Sequence, residues 1–402
     1  MPLPTIESIK TTIENNYSTN IHDSKLSGYK PIPGLLGPMF YPGGFGVVFP
    51  LKDSLNHKYA FRVWHKEIPG IKERTNKIAN YLHAINLPYF VEFDFVSGGL
   101  TVEEEEGSQT VDTVRMDWVE GENLHDFISK TKENESTEDF KLIMHNLAGK
   151  FKKMFKDLHQ AGISHGDLQH GNVVIKDDLN IKLVDYDSVF VPTIKGEKQI
   201  TSGLTGYQHP IRKTTCEEAA EYDDYFSELV IYSGLLMLSV LPELWPDDEE
   251  EIDNFSFLFT ENDFENIIKE THTLGVFTES NLNNISSCDL FKKILSVKPT
   301  DAQDACTISE LKTLFVLLVN DLNQNDLSRI KPLPGTAKSK KKDIYVQQDT
   351  EEDYIDVGQI KQTLKELGSK SKKGYTSTGG AKVQVKINKT DIDIRKDKYR
   401  NQ

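Results

Sequence analysis

The chain has 402 residues, enough for one large two-lobed domain or two ordinary ones, and 37% of them are hydrophobic, enough for a substantial core. Its formal charge of -15 argues against nonspecific binding of nucleic acid or of an anionic membrane by the whole molecule. The charge is uneven: from Lys331 onward there are 17 Lys and Arg against 10 Asp and Glu, a net +7, which leaves -22 on the first 330 residues.

Residues 1–29 read as a polar lead-in with a short helix. Residues 30–64 are short apolar runs broken by Pro and Gly, the pattern of strands and turns. Ile71, Ile78, Leu82 and Ile85 then recur at helical spacing, and Pro69 suggests that this helix starts after it. Residues 90–96 and 113–119 read as two strands, with a turn at 107–109. Beyond Asn123 the character turns helical: Leu142, Ile143, Leu147, Phe151, Met154 and Leu158 make one apolar stripe, with Thr137 as the expected N-cap. Residues 173–175 and 181–184 are short strands around a polar turn, and helices dominate from 217 to about 318.

The expected fold is therefore α+β, two lobes with a cleft between them: a lead-in at 1–29, a strand-rich lobe at 30–120, a helical lobe at 121–322 and a tail at 323–402. The Lys-, Ser- and Gly-rich composition of that tail reads as mostly disordered, with binding to an unknown partner as the alternative. Within it, residues 355–367 could form one amphipathic helix and 383–394 a marginal hairpin. Residues 332–402 are expected to be dispensable for folding.

Cys216, Cys288 and Cys306, an odd number without paired spacing, make neither a disulfide framework nor a zinc site and read as buried thiols in a reducing cytoplasm. Residues 1–20 lack the build of a signal peptide. The longest apolar stretch, 229–241, contains Ser233 and Gly234 and is too short to span a bilayer, so it reads as a buried helix. A cytoplasmic protein with no membrane and no nucleic-acid partner is expected.

The strongest chemical signal is ISHGDLQHGNVVI at 163–175, followed by KLVDYDS at 182–188. An Asp five residues before an Asn, then an Asp after an apolar strand, is what metal-dependent phosphoryl transfer needs. One carboxylate orients the attacking hydroxyl and accepts its proton; the Asn and the second Asp hold Mg²⁺ against nucleotide phosphates. Strands bracketing the loop would fix all three side chains.

This pattern resembles the protein kinase superfamily, with its H-R-D-L-K-x-x-N and D-F-G motifs. The resemblance covers roughly residues 35–315, and it is stronger in the second lobe. It implies Asp167 as catalytic base, Asn172 and Asp185 as metal ligands and His165 as the His beneath the catalytic loop. YPGGFGVV at 41–48 is similar to the phosphate-covering loop, which implies nucleotide-binding roles for Gly43, Gly44, Gly46 and Val48. YAFRVW then puts Ala60 beside the adenine and Arg62 at the position of the family's phosphate-contacting Lys, with Glu73 as the helix carboxylate expected to pair with it. RMDWVEGENLHDFI at 115–128 resembles the segment linking the lobes, with Met116 behind the adenine and backbone groups of Asp117 to Val119 along its edge. GLTGYQHP at 203–210 resembles the substrate-docking end of the activation segment, and EYDDYFSEL, with Asp224, the start of the central buried helix.

The sequence also departs from the family. Gly166 stands for the Arg beside the catalytic Asp, Gln169 for a Lys, and Asp187 for the Gly of D-F-G. Ordering of the activation segment by a phosphate is therefore less expected. The resemblance implies ATP and Mg²⁺ as cofactors, protein substrates and transfer to Ser or Thr hydroxyls, with low activity a possibility because Arg62 replaces Lys. Two other readings stay open. H-G-D-L-x-x-G-N is also the form used by aminoglycoside and choline phosphotransferases, and Arg62 would suit a nucleotide-binding scaffold without catalysis.

Overall fold

A computed structural model describes residues 2–213, 218–273 and 276–338. The chain begins with helix α1 (Ile6–Asn20), followed by short strands β1 (Lys30–Pro31), β2 (Pro33–Gly34), β3 (Gly37–Pro38) and β4 (Tyr41–Pro42). Strands β5 (Gly46–Lys52) and β6 (Lys58–Trp64), helix α2 (Ile71–Ile85) and the long hairpin of β7 (Phe93–Glu104) and β8 (Gly107–Asp117) complete the first lobe. The antiparallel sheet runs β1-β5-β6-β8-β7, with β4 on the edge of β5.

Apolar side chains on one face of this sheet meet one stripe of α1. Val47, Phe49, Phe61, Val63, Leu100 and Val102 bury against Ile9 and Ile13, all fully covered. Burial of each such side chain stabilises the fold by about 1.5–3 kcal/mol. The stretch read as a lead-in thus supplies part of this core. The hairpin turn falls at residues 105–106, since Glu104 pairs with Gly107, not at the predicted 107–109. Pairing of Val102 with Gln109 and of Leu100 with Val111 extends the ladder because their apolar members are buried.

The second lobe holds β9 (Glu122–Asn123), α3 (Leu124–Asn134), α4 (Thr137–Ala161), β10 (Val173–Ile175), β11 (Ile181–Leu183), α5 (Tyr225–Val240), α6 (Glu261–Thr271), α7 (Asp289–Ser296) and α8 (Ala302–Leu322). Ser136, rather than Thr137, caps α4; its hydroxyl accepts from the Asp139 amide at 3.2 Å. α5 is buried around its whole circumference, every residue from Phe226 to Val240 being covered. It is the core helix expected at 229–241, and no helix among the described residues is long and apolar enough to cross a membrane. The fold is α+β and two-lobed, strand-rich then helical, as expected.

Packing continues beyond α8. Leu327, Ile330, Leu333 and Thr336 are buried, so the second lobe extends past the change of composition at 323, and Leu333 and Thr336 lie in the part expected to be dispensable. Residues 339–402, with the helix and hairpin expected there, lie outside the described residues, as does Cys216. Cys288 is a buried thiol; Cys306 is exposed, contrary to expectation, since it lies on the open side of α8.

Candidate active site

Backbone pairing makes one wall of the cleft. Val48 lies opposite Arg62, Arg62 opposite Val114, and Ala60 opposite Met116. Directly paired residues point to one side of a sheet, so Val48, Ala60, Arg62, Val114 and Met116 share a face. Arg62, Val114 and Met116, with Ile78, Phe93, Tyr186 and Asp187, line a small cavity behind it. After β8, the Asp117 amide donates to the Glu92 carbonyl at 3.0 Å and the Trp118 amide to that of Lys58 at 3.3 Å. Among the described residues the Val119 amide makes no hydrogen bond.

The phosphate-loop candidate is the turn between β4 and β5. The Gly43 amide donates to the Gly46 carbonyl at 2.8 Å, and Gly43 and Gly44 are exposed. Gly46 is buried over Arg62: a β-carbon there would lie 2.9 Å from the Arg62 Nε, so no larger residue fits. Lys58, also on β6, is engaged elsewhere, with Glu120 at 2.5 Å.

The opposite wall is the catalytic loop. Asp224, at the start of α5, accepts from the backbone amides of His165 and, at 2.9 Å, Gly166. The His165 ring is buried and its Nε2 meets the Val184 carbonyl at 2.9 Å. Asn172 donates through Nδ2 to the Asp167 carbonyl at 2.8 Å and carboxylate at 3.3 Å. The Val184 amide donates back to the Asn172 carbonyl at 3.0 Å, which ties β11 and Asp185 to the loop. Asp167, Asn172 and Asp185 are thus brought together as the spacing predicted. Burial raises the Asp167 carboxyl above the usual carboxylate range, an effect that His165 opposes. For Asp185 burial would act the same way, but the Arg62 guanidinium beside it holds the carboxyl below that range.

The partner of Arg62 differs from expectation. Its Nη1 donates to the Asp185 Oδ1 at 2.5 Å and its Nη2 to the Asp187 Oδ2. Glu73 is exposed on α2 and forms no ion pair with it. The reason lies in the phase of the helix: α2 turns Arg74, Thr75 and Ile78 inward, and Glu73 falls on the outer side. Arg74 donates to the carbonyls of Asp187 at 3.1 Å, Lys198 at 3.2 Å and Val189 at 3.4 Å, and to the Glu197 carboxylate at 3.4 Å.

Arg212, His125 and His170 escaped the sequence reading. The buried Arg212 donates to the Gly166 carbonyl at 2.7 Å and so reaches the catalytic loop from the end of the activation segment. The buried Tyr207 hydroxyl bridges His170 Nδ1 at 2.9 Å and His125 Nε2 at 3.0 Å, and these two rings stack with centroids 3.7 Å apart. Burial lowers His170 to about 4 and His125 to about 3, so the stacked rings are neutral. Only Tyr207 carried a sequence signal, through its Y-x-x-P spacing.

No group of three or more His, Cys, Asp or Glu able to hold a metal occurs among the described residues. Two oxygen donors from protein plus phosphate oxygens suit Mg²⁺, which keeps several waters. Asn172 and Asp185 fit that demand: the Nδ2 of Asn172 is spent on Asp167, which leaves its Oδ1 as the donor atom.

No family model matches the chain. Among curated proteins, the rat interferon-induced, double-stranded RNA-activated protein kinase is 24% identical over 321 residues, 76% of this chain and 53% of the relative. This chain resembles the protein kinase superfamily. It spans about half the length of that kinase-like relative. Among solved structures, the Cydia pomonella granulovirus kinase PK-1 matches at 15% identity over 76% of this chain and 93% of its own, with a TM-score of 0.42.

Proposed function

We propose that the chain is an ATP-dependent phosphotransferase whose acceptors are Ser and Thr hydroxyls of proteins. The observation that carries this reading is the meeting of Asp167 and Asn172, on a loop fixed by Asp224, with Asp185, tied to that loop through the Val184 amide. Likeness to a protein kinase supports it.

In this reading Val48, Ala60 and Met116 enclose the adenine, and the backbone of Asp117 to Val119 binds its edge. The loop of Gly43, Gly44 and Gly46 covers the phosphates, Arg62 contacts them, and Asn172 and Asp185 hold Mg²⁺. Bound Mg-ATP supplies the transferable phosphoryl group and the cation that offsets its charge. Asp167 orients the acceptor hydroxyl and takes up its proton. His165 and Asp224 hold the loop so that this carboxylate stays in place.

Against a small-molecule kinase stands the buried Tyr207, whose hydroxyl meets His170 of the catalytic loop. In the protein-kinase pattern such a tyrosine belongs to the segment that docks the acceptor. A scaffold without catalysis is opposed by the complete Asp167, Asn172 and Asp185 set.

The test is phosphate transfer from labelled Mg-ATP to protein and metabolite panels by the parent and Asp167→Ala. The variant should lose at least about 10²-fold in turnover, the scale of a positioned acid or base, and keep nucleotide binding. Equal transfer by both would remove Asp167 from the mechanism. Transfer to metabolites alone would move the reading to small-molecule kinases.

A further inference from the structure

In the family pattern the strand cation is steadied by a carboxylate on the following helix. Here the inward position of α2 holds a cation instead, the buried Arg74. That cation is balanced by the Glu197 carboxylate at 3.4 Å, and the carboxylate that Arg62 lacks on α2 is supplied by Asp187. Its carboxylate accepts from Arg62 Nη2, and its carbonyl accepts from Arg74 Nε at 3.1 Å. Both side chains of the Arg62–Asp187 pair are 11% exposed, so the pair is shielded from water.

The backbone permits this exchange. Asp187 lies in the 3₁₀ turn Tyr186–Ser188, and the positive φ of the segment, 66°, falls on Asp185. A glycine at 187 is therefore not required, and a carboxylate can stand there. The guanidinium carries five N–H groups on three nitrogens. Nη2 is held by Asp187, and Nη1 by Asp185, a candidate metal ligand. Nε is buried, has no partner and lies next to Gly46 of the phosphate loop.

We propose that Asp187 is the positioning carboxylate of this site: it ties Arg62 to the segment carrying Asp185 instead of to helix α2. The inference rests on the phosphotransferase reading. Asp187 touches neither substrate nor metal in it. With Asp185 serving a bound Mg²⁺, Nη1 would lose that partner, and Asp187 would be the carboxylate that keeps the guanidinium in place. Without Asp187, Arg62 would retain only Asp185 and would compete there with the metal.

That competition gives the readout. At fixed ATP, Asp187→Asn should raise the Mg²⁺ concentration for half-maximal phosphate transfer by about tenfold or more, the scale of a lost charge-assisted bond, and excess Mg²⁺ should restore most of the rate. A merely structural role would lower the melting temperature or the active fraction without moving the Mg²⁺ requirement. A parental Mg²⁺ requirement in Asp187→Asn overturns the proposal, as does a raised requirement in Glu73→Gln without one in Asp187→Asn. Should Asp187→Asn fail to fold, Arg62→Gln and Arg62→Gln/Asp187→Asn place neutral amides at the pair. Calorimetric Mg-ATP affinity should then differ less than twofold between those two variants, and a further loss of about tenfold in the second overturns the proposal. If the parent neither binds nor uses Mg-ATP, the phosphotransferase reading falls on the parent alone and the proposal falls with it. If the parent binds Mg-ATP, failure of the variants to respond overturns the proposal only.

Discussion

The carbonyl oxygen of Ser188 stands 2.3 Å from the point where a β-carbon on Gly166 would lie. The two segments touch backbone to backbone, and Gly166 has a φ of 77°. The arginine that the family carries there has no room here. Arg212, which donates to the Gly166 carbonyl, brings a guanidinium to the loop from another direction. Gly166→Ala should therefore lower stability by about 2–5 kcal/mol, combining the left-handed backbone cost with overlap against a main chain that cannot yield. Urea denaturation of parent and variant measures it, and equal midpoints would mean that the two segments separate easily.

A second prediction concerns Asp185, which is both a candidate metal ligand and a partner of Arg62 Nη1 at 2.5 Å. Asp185→Asn removes a metal oxygen with full charge and frees the guanidinium at once. Mg-ATP should bind at least about tenfold more weakly, while ATP with chelator should bind as tightly as to the parent or more so. Calorimetry in the two conditions checks this. Equal losses in both would contradict the metal assignment.

Stability should depend on pH through Asp321. This carboxylate is buried on α8, its Oδ2 has no partner, and burial pushes it up to about 7 although Lys331 pulls it down. A carboxyl of the unfolded chain titrates near about 3.9. Below that value both states are protonated and nothing is lost. Between there and about 7 the unfolded chain ionises first, so stability falls as pH rises, then levels off. Asp321→Asn mimics the protonated form. Its melting temperature should match the parent's near pH 4 and exceed it at pH 8, by stabilisation on the order of a few kcal/mol. A constant offset across that range would contradict the assignment.

Deletions should locate the end of the folded unit. A chain ended after Lys338 keeps Leu327, Ile330, Leu333 and Thr336, and keeps the Thr336 carbonyl that meets His159 Nδ1 at 3.1 Å. One ended after Asp326 exposes the surface that three apolar side chains cover, worth on the order of 5 kcal/mol. The first should melt close to the full chain and the second well below it. Similar melting of the two would show that the strap contributes little.

The catalytic loop was legible because its chemistry is local: Asp167 and Asn172 are five residues apart, and Asp185 follows a strand that pairs next to the loop. α5 was legible from apolarity alone. The surroundings of Arg62 were not, because its partners lie 123 and 125 residues away, beyond any periodic pattern. Family habit pointed to Glu73, and a one-residue difference in helix phase brought in Arg74. The stack of His125 and His170 was hidden for the same reason, since nothing in a sequence says that rings from α3 and the catalytic loop will meet. Composition also misled at 323, where the spaced apolar residues Leu327, Ile330 and Leu333 hold the following segment to the lobe.

For small molecules, the bonds around Arg62 sort inhibitors into two kinds. A compound that works by turning the segment of Asp185 outward must break the Arg62–Asp187 pair and strip Arg74 of three carbonyls. Stranding buried guanidinium groups costs about 3–5 kcal/mol for each broken pair, and that cost is subtracted from affinity. A compound that leaves the segment where it is keeps the Arg62–Asp187 pair and the Arg74 bonds intact and avoids that cost. Selective ligands for this chain should therefore come from the second kind.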